Sequence, residues 1–255
     1  CFEAGHSMSE AISALRRIGH SSWPAVLKLG RLYARVGQYE RAARSLADYA
    51  FGFRFHDEST AAGVDAIAYF RAAHAYADVV TTTTRFAQLY AQRPPRQSAD
   101  VFYALEATYA EQGEVATRVA HVRTYLACCA DRGDPINRAV ALAALAEASW
   151  TSACQGTWQA GRCVVAASAA QARRLARSTC AVADEPKMID ATIDAAARAQ
   201  ALADADAAIN AWETLDATTR EDPRAREAAA AAASVLAADA DVDRMRTPIP
   251  APVAS

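Results

Sequence analysis

Apolar residues recur every three or four positions along most of the chain, a spacing that predicts amphipathic helices. Between residues 26 and 53, Leu29 and Leu46 lie on the apolar faces of two short helices, and Gly37 separates them. A small residue at Gly30 allows the two helix backbones to approach closely. Because one such pair cannot bury its faces alone, the pattern predicts a stack of helix pairs.

The landmarks of this helix pair recur 76 residues later in the chain. They are a leucine, two tyrosines and a turn glycine, matched as Leu29 with Leu105, Tyr33 with Tyr109, Gly37 with Gly113, and Tyr49 with Tyr125. The interval fits two repeats, so we expect an intermediate pair over residues 61–92. There the turn glycine is missing. We place the turn at Val79, Val80 and the four threonines that follow, with His74 on an inner helix face.

The second half of the chain changes character after a helix that ends near Trp150. Residues 151–179 contain glycines, β-branched residues and three cysteines, and this composition predicts a crossed-over loop or a small hairpin. Asp184 and Pro186 are good helix-start residues, so we expect a long helix over residues 188–215. A helix made almost wholly of alanine follows, over 224–239, and then an extended Pro-rich tail.

The segments 26–53 and 101–126 resemble tetratricopeptide repeats (TPR) at most of the landmark positions. This resemblance implies an all-α fold, a TPR-like antiparallel helix-pair superhelix that binds other proteins. Glu106 and Arg118 depart from it, since they stand where the first pair has small residues, and we expect looser packing there. We divide the chain into TPR-like repeats (1–150), a cysteine-stapled loop or hairpin insertion (151–182), C-terminal helices (183–242) and the tail (243–255).

The order of features in the second half resembles a looser group of myxobacterial repeat proteins of the cell envelope. In that group a helix ending in tryptophan precedes a cysteine-bearing insertion, as Trp150, Cys154 and Cys163 do here, and a third cysteine leads into further helices, as Cys180 does. The resemblance implies a bacterial envelope protein and carries no known catalytic residues.

Charge and composition exclude several classes of function. The formal net charge is -2 and the pI is near 6.2, so nothing attracts the chain as a whole to nucleic acid. Apolar runs of about 18 residues are absent from the sequence, so we predict no membrane span. Lys28 and Lys187 are the only lysines among 27 basic residues, a usage typical of high-GC bacteria. Cys1 matches the first residue of a processed bacterial lipoprotein and is a candidate for an N-terminal lipid anchor.

The six cysteines indicate an oxidising, extracytoplasmic compartment, with reduced thiols in a cytosolic protein as the alternative. A disulfide between Cys154 and Cys163 closes only a short loop and is the first choice; Cys163 with Cys180 is the second. Cys128 and Cys129 are adjacent. One of them pairs with a distant cysteine, or both are core thiols, or they form a redox-active pair.

The sequence holds no hydrolase, nucleotide-binding or metalloprotease motif, and no histidine follows His121, so we predict neither an enzyme nor a metal or cofactor site. Candidate groove residues are of two kinds, basic on one helix and aromatic on others: Lys28, Arg31, Arg35, Tyr69, Tyr76 and Tyr103. The leading hypothesis is a noncatalytic scaffold or structural subunit in a bacterial envelope assembly, with protein partners. The alternatives are a soluble peptide-binding TPR adaptor and a thiol-redox protein that uses Cys128 and Cys129.

Overall fold

The computed structural model describes residues 2–19, 22–91, 95–159, 162–167 and 188–246. Two compact units make up the chain, Cys1–Asp134 and Pro135–Ser255. This division differs from the predicted repeat segment 1–150, because the helix that ends that segment packs against the C-terminal helices. The predictions for Cys1, for the helix start at residues 184–186 and for the tail beyond residue 246 lie outside the described residues.

The first unit is a run of antiparallel helix pairs, which confirms the all-α, TPR-like prediction for this part of the chain. A leading helix precedes three pairs, and the first helix of the third pair is broken in two at Ala104. A 3-10 turn, Ala130–Arg132, closes the unit. The helices are α1 (Phe2–Ile18), α2 (Trp23–Arg35), α3 (Tyr39–Gly52), α4 (Ser59–Ala72), α5 (Tyr76–Tyr90), α6 (Pro95–Tyr103), α7 (Leu105–Glu111) and α8 (Val115–Cys128).

Glycine sets how closely the helices of the first pair approach. A Cβ atom added to Gly30 would lie 2.7 Å from Leu46 Cγ, so the side chain of Leu46 fills the space above the bare glycine. A Cβ atom added to Gly63 on α4 would lie 2.6 Å from Phe86 Cδ2, so the ring of Phe86 fills the space above this glycine. Leu46 and Phe86 are consequently fully buried and form the centre of the apolar core.

The turn of the second pair lies at His74 and not at the threonine run, so that prediction was wrong. His74 has φ 56°, the left-handed conformation that Gly37 (φ 74°) and Gly113 (φ 70°) adopt at the same place in the other pairs. The amide of Ala75 donates to the carbonyl of Phe70 at 2.9 Å and closes the turn. The threonines fall inside α5 because half of them are buried against neighbouring helices, where packing outweighs weak helix propensity.

The third pair replaces close packing by an ion pair. Glu106 and Arg118 occupy the positions of Gly30 and Ala42, and Arg118 Nε donates to Glu106 Oε1 at 2.5 Å. The Glu106 side chain is only 16% exposed. The two large side chains therefore join the helices directly, although they preclude the backbone approach seen in the first pair.

The second unit places a small sheet beside long alanine-rich helices. Its sheet is antiparallel with strand order β1-β2-β3, in which Trp158 pairs with Cys163 and Val165 with Ile189. The hairpin of β1 and β2 is the form that the sequence suggested for the insertion. The elements are α9 (Pro135–Ala153), β1 (Thr157–Gln159), β2 (Arg162–Ala166), β3 (Met188–Asp190), α10 (Ala195–Glu213), α11 (Ala217–Arg220) and α12 (Pro223–Arg246).

The helix expected from Met188 begins seven residues later, at Ala195, which corrects the sequence prediction. Asp194 caps it, since its carboxylate accepts hydrogen bonds from the amides of Ala196 and Ala197 at 2.9 and 3.1 Å. The residues before the cap stay extended because they pair with the insertion. Ala191 N, for example, donates to Cys163 O at 2.8 Å.

Alanine builds the core of the second unit. The small side chain allows α9, α10 and α12 to approach closely, and the alanine-rich last helix finds there the partner surface that it requires. This helix is also longer than the predicted 224–239. The fully buried alanines of the cluster are Ala139, Ala146, Ala201, Ala205 and Ala232.

Candidate functional site

An open cavity of about 740 Å³ lies in the first unit between α4, α5 and the α6–α7 segment. Its wall is formed mainly by aliphatic side chains from these helices, together with two threonines. Val79, Leu105 and Thr108 are almost wholly buried and form its floor. The lining includes Val64, Ile67, Ala68, Ala72, Val79, Thr83, Val101, Ala104, Leu105 and Thr108. We call this cavity the α4–α7 groove.

Four of the polar side chains that line the groove pair with one another. Arg71 Nε donates to Glu111 Oε1 at 3.1 Å, and Arg71 Nη2 makes a second contact with the same oxygen. The Arg71 hydrogen bonds hold the pKa of the Glu111 carboxyl below its usual range, and Glu111 in turn raises the pKa of Arg71. His74 Nδ1 and Tyr76 Oη lie 3.0 Å apart.

This arrangement suits an uncharged, apolar ligand. The acidic and basic groups at the groove are paired, so neither sign of charge is left in excess for a carboxylate or an ammonium. Among the described residues, no group of three or more His, Cys, Asp and Glu side chains is placed to hold a metal ion. The groove therefore offers shape and apolar surface.

The basic candidates lie elsewhere. Lys28, Arg31 and Arg35 are exposed on α2, and none of them lines the α4–α7 groove. Arg31 pairs with Glu58 at 2.6 Å, in the loop that leads into α4. Side chains of this exposure gain little from one ion pair, so Arg31 acts mainly as a solvated surface residue.

Of the three aromatic candidate residues, only one lines the α4–α7 groove. Tyr76 lines the α4–α7 groove, and Tyr69 is half-buried and stacks on Tyr39 with ring centroids 5.6 Å apart. Tyr103 is 8% exposed and packs against the ring of Tyr125 at 4.8 Å. The structure thus makes Tyr103 a core residue and removes it from the groove set.

Sequence reasoning missed most of the groove. His74, which was expected on an inner helix face, does line it, but Arg71 and Glu111 are 40 residues apart and belong to different repeats. In the sequence, only their opposite charges mark these two residues, which lie near the ends of α4 and α7. Opposite charges at such positions are common on solvent-exposed surfaces.

Two disulfides are present among the described residues. Cys154 and Cys163 join the end of α9 to β2, the pairing that the short loop favoured. Beside this bond the rings of Trp150 and Trp158 stack at 4.6 Å, and Trp158 Nε1 donates to Trp150 O at 3.0 Å. Cys128 is bonded to its neighbour Cys129 at the end of α8, and Cys180 lies outside the described residues.

No helix in the described part of the chain has the length and apolarity needed to cross a bilayer.

Stacked antiparallel helix pairs, with a left-handed turn residue at the same place in each pair, define the first unit as a TPR-like repeat array. No protein-family model matches the sequence, and no curated protein is significantly similar to it. Among solved structures, the chain is similar to a TPR repeats protein from Bacteroides fragilis, with 13% sequence identity and a TM-score of 0.45. That alignment covers 94% of this chain and 90% of the other.

Proposed function

We propose that the protein is a noncatalytic scaffold or structural subunit that mediates protein–protein interactions in a bacterial envelope assembly. The observation that carries the interaction role is the α4–α7 groove, an open apolar cavity of about 740 Å³ whose charged side chains are already paired. Cavities of this size and character bind apolar side chains of a partner and bury them from water.

The partner segment that fits the groove presents a neutral, apolar anchor. Arg71 and Glu111 stabilise each other, so an acidic anchor would have to compete with Glu111 for the guanidinium. A branched aliphatic or aromatic side chain does not compete with Glu111, and its burial against the aliphatic floor of the groove adds to the binding free energy.

The envelope location is supported by the disulfide between Cys154 and Cys163, which is typical of proteins that fold in oxidising compartments. A test is to fractionate the native bacterium and detect the chain with an antibody. We expect it in the envelope fraction, with this bond intact on nonreducing peptide mapping. Recovery in the cytosol with free thiols would exclude the envelope role and leave the soluble adaptor.

Filling the groove tests the interaction role. Ala68 is exposed and lines the groove, whereas Ala61 is exposed on the same helix but does not line it. Random peptides displayed on phage are selected on the wild-type chain. We expect the enriched peptides to share an apolar anchor and to lose at least about tenfold in affinity on Ala68→Trp, and to keep their affinity on Ala61→Trp.

Two results would count against the groove as the binding site. One is enrichment of acidic peptides whose binding Ala68→Trp leaves unchanged, and the other is equal loss of affinity in both variants.

A further inference from the structure

The two disulfides among the described residues differ in how much they can stabilise the fold. Cys154 and Cys163 are 9 positions apart and connect two elements, and both are buried, at 7% and 4% exposure. The bond between Cys128 and Cys129 joins sequence neighbours. A bond between neighbours closes almost no chain, so it removes little conformational entropy from the unfolded state and is a poor structural staple.

The bond between Cys128 and Cys129 is also accessible. Cys128 is exposed and Cys129 half-buried, at the last turn of α8. The carbonyl of Cys128 accepts a hydrogen bond from Arg132 Nη2 at 2.9 Å, which holds a positive charge beside this residue. Attack on a disulfide requires an incoming thiolate, and exposure together with a nearby cation favours its approach.

The turn around this bond has its own supports, so it does not depend on the sulfur atoms. Cys129 N donates to Tyr125 O at 2.9 Å, and Arg132 N donates to Cys129 O at 3.0 Å. The amide of Asp134 donates to Asp100 Oδ1 at 2.7 Å. These hydrogen bonds would keep the two thiols adjacent after reduction, so that the bond can form again within the molecule.

We propose that Cys128 and Cys129 form a reversible redox site that exchanges electrons with an external dithiol, while the bond between Cys154 and Cys163 is permanent. A thiolate of the dithiol attacks Sγ of Cys128, the bond between the two sulfurs breaks, and Cys129 leaves as a thiolate that takes up a proton. The second thiol of the reductant, as its thiolate, then attacks its partner sulfur in the mixed disulfide and releases Cys128. Two electrons and two protons pass to the protein, and the reductant leaves as a disulfide.

The experiment uses the full chain, prepared without reductant, and dithiothreitol as the probe. Samples are exposed to dithiothreitol, quenched in acid, labelled with N-ethylmaleimide and digested with trypsin. Cleavage at Arg123 and Arg132 isolates one peptide that contains both Cys128 and Cys129 and no other cysteine. The buried bond between Cys154 and Cys163 is the internal control.

We expect this peptide, before reduction, to be two hydrogen masses lighter than the dithiol form. Its labelling should be at least about tenfold faster than that of Cys163, with circular dichroism unchanged. Once the dithiothreitol is removed, oxidised glutathione should restore the light form. The proposal is overturned by free thiols at both positions before reduction, by a cross-link from this peptide to another cysteine, or by labelling that is no faster than at Cys163. Loss of helical signal in step with labelling would equally overturn it, since it would make the bond structural.

Discussion

At the scale of single residues, His74 replaces the glycine that the other two pairs use at their turns. A side chain in the left-handed region costs about 1–2 kcal/mol relative to glycine. The His74 ring compensates in part through its contact with Tyr76 at 3.0 Å. The turn is therefore imposed by the packing of α4 against α5 and works against the preference of the residue itself.

We expect His74→Gly to raise the free energy of unfolding by up to about 1 kcal/mol, because glycine adopts φ 56° without steric cost. The matched variant His74→Ala loses the contact with Tyr76 and keeps the steric cost of a side chain at positive φ, so it should be less stable than the wild type. Urea unfolding followed by circular dichroism measures both. Equal destabilisation in the two variants would show that the ring and not the backbone determines this position.

His121 makes stability depend on pH. It is 8% exposed, its Nε2 lies 2.9 Å from Phe102 O, and the rings of Phe102 and Tyr109 pack against it, with the Glu106 charge nearby. Burial lowers its pKa below the ordinary 6.5. The unfolded chain then binds a proton that the folded chain does not, so stability is full above about pH 6.5 and falls as the pH drops towards the folded pKa.

The variant His121→Gln tests this dependence, since glutamine can still donate to Phe102 O and does not titrate in this range. We expect the free energy of unfolding of the wild type to fall more steeply than that of His121→Gln between about pH 7 and pH 5. Urea titrations at several pH values measure the difference. Parallel curves would assign the pH dependence to carboxylates instead.

At the scale of elements, helix pairs in this array are joined in two ways. The first pair approaches through Gly30 and Leu46, while the third uses the ion pair of Glu106 and Arg118. Both kinds of contact occur in antiparallel helix pairs with the same turn, since Gly37 and Gly113 both adopt the left-handed conformation.

Gly30→Ala should lower the free energy of unfolding by about 1–3 kcal/mol, because the new methyl group would lie 2.7 Å from Leu46 Cγ. Gly52→Ala is the control: it lies in α3 and its Cβ would meet no atom within 4 Å. That substitution should be neutral or stabilising by less than about 1 kcal/mol. Chemical denaturation compares the two. A neutral Gly30→Ala would mean that Leu46 moves aside without cost.

At the scale of the whole molecule, the two units rest on different kinds of core. The first is centred on large side chains such as Tyr49 and Phe86, whereas the second is centred on alanine. Alanine allows close helix contact but removes little apolar area per residue from water. Specific polar contacts therefore carry more of the second unit's stability.

Arg198 makes two of these contacts. It donates to Asp239 at 2.5 Å and to Asp243 at 2.6 Å, and so ties α10 to α12; both hydrogen bonds raise its pKa. The Arg198 side chain is 18% exposed. We expect Arg198→Ala to cost about 1.5–3 kcal/mol, the range for hydrogen bonds to charged groups.

The exposed pair of Arg226 and Glu221, at 3.6 Å, provides the control. Its partners are 61% and 77% exposed, so Arg226→Ala should change stability by less than about 1 kcal/mol. Thermal unfolding of both variants at low and high salt measures the contrast. Equal effects would mean that alanine packing alone holds α10 against α12.

The sequence by itself predicted the helix pairs, two of the three turns and, as the first choice of two, the pairing of Cys154 with Cys163. These features are encoded locally: apolar spacing, a glycine where φ must be positive, and a loop short enough to close. Each can be read within about 40 residues, because neighbouring positions in the chain are also neighbours in space.

Only the tertiary structure decided the rest. It placed the second turn at His74, started α10 at Ala195, buried Tyr103 and joined Arg71 to Glu111 at the α4–α7 groove. Each outcome depends on partners from other elements, whose packing outweighs weak local preferences. A groove between stacked repeats exists only once the repeats have stacked, so no local pattern in the chain could define it.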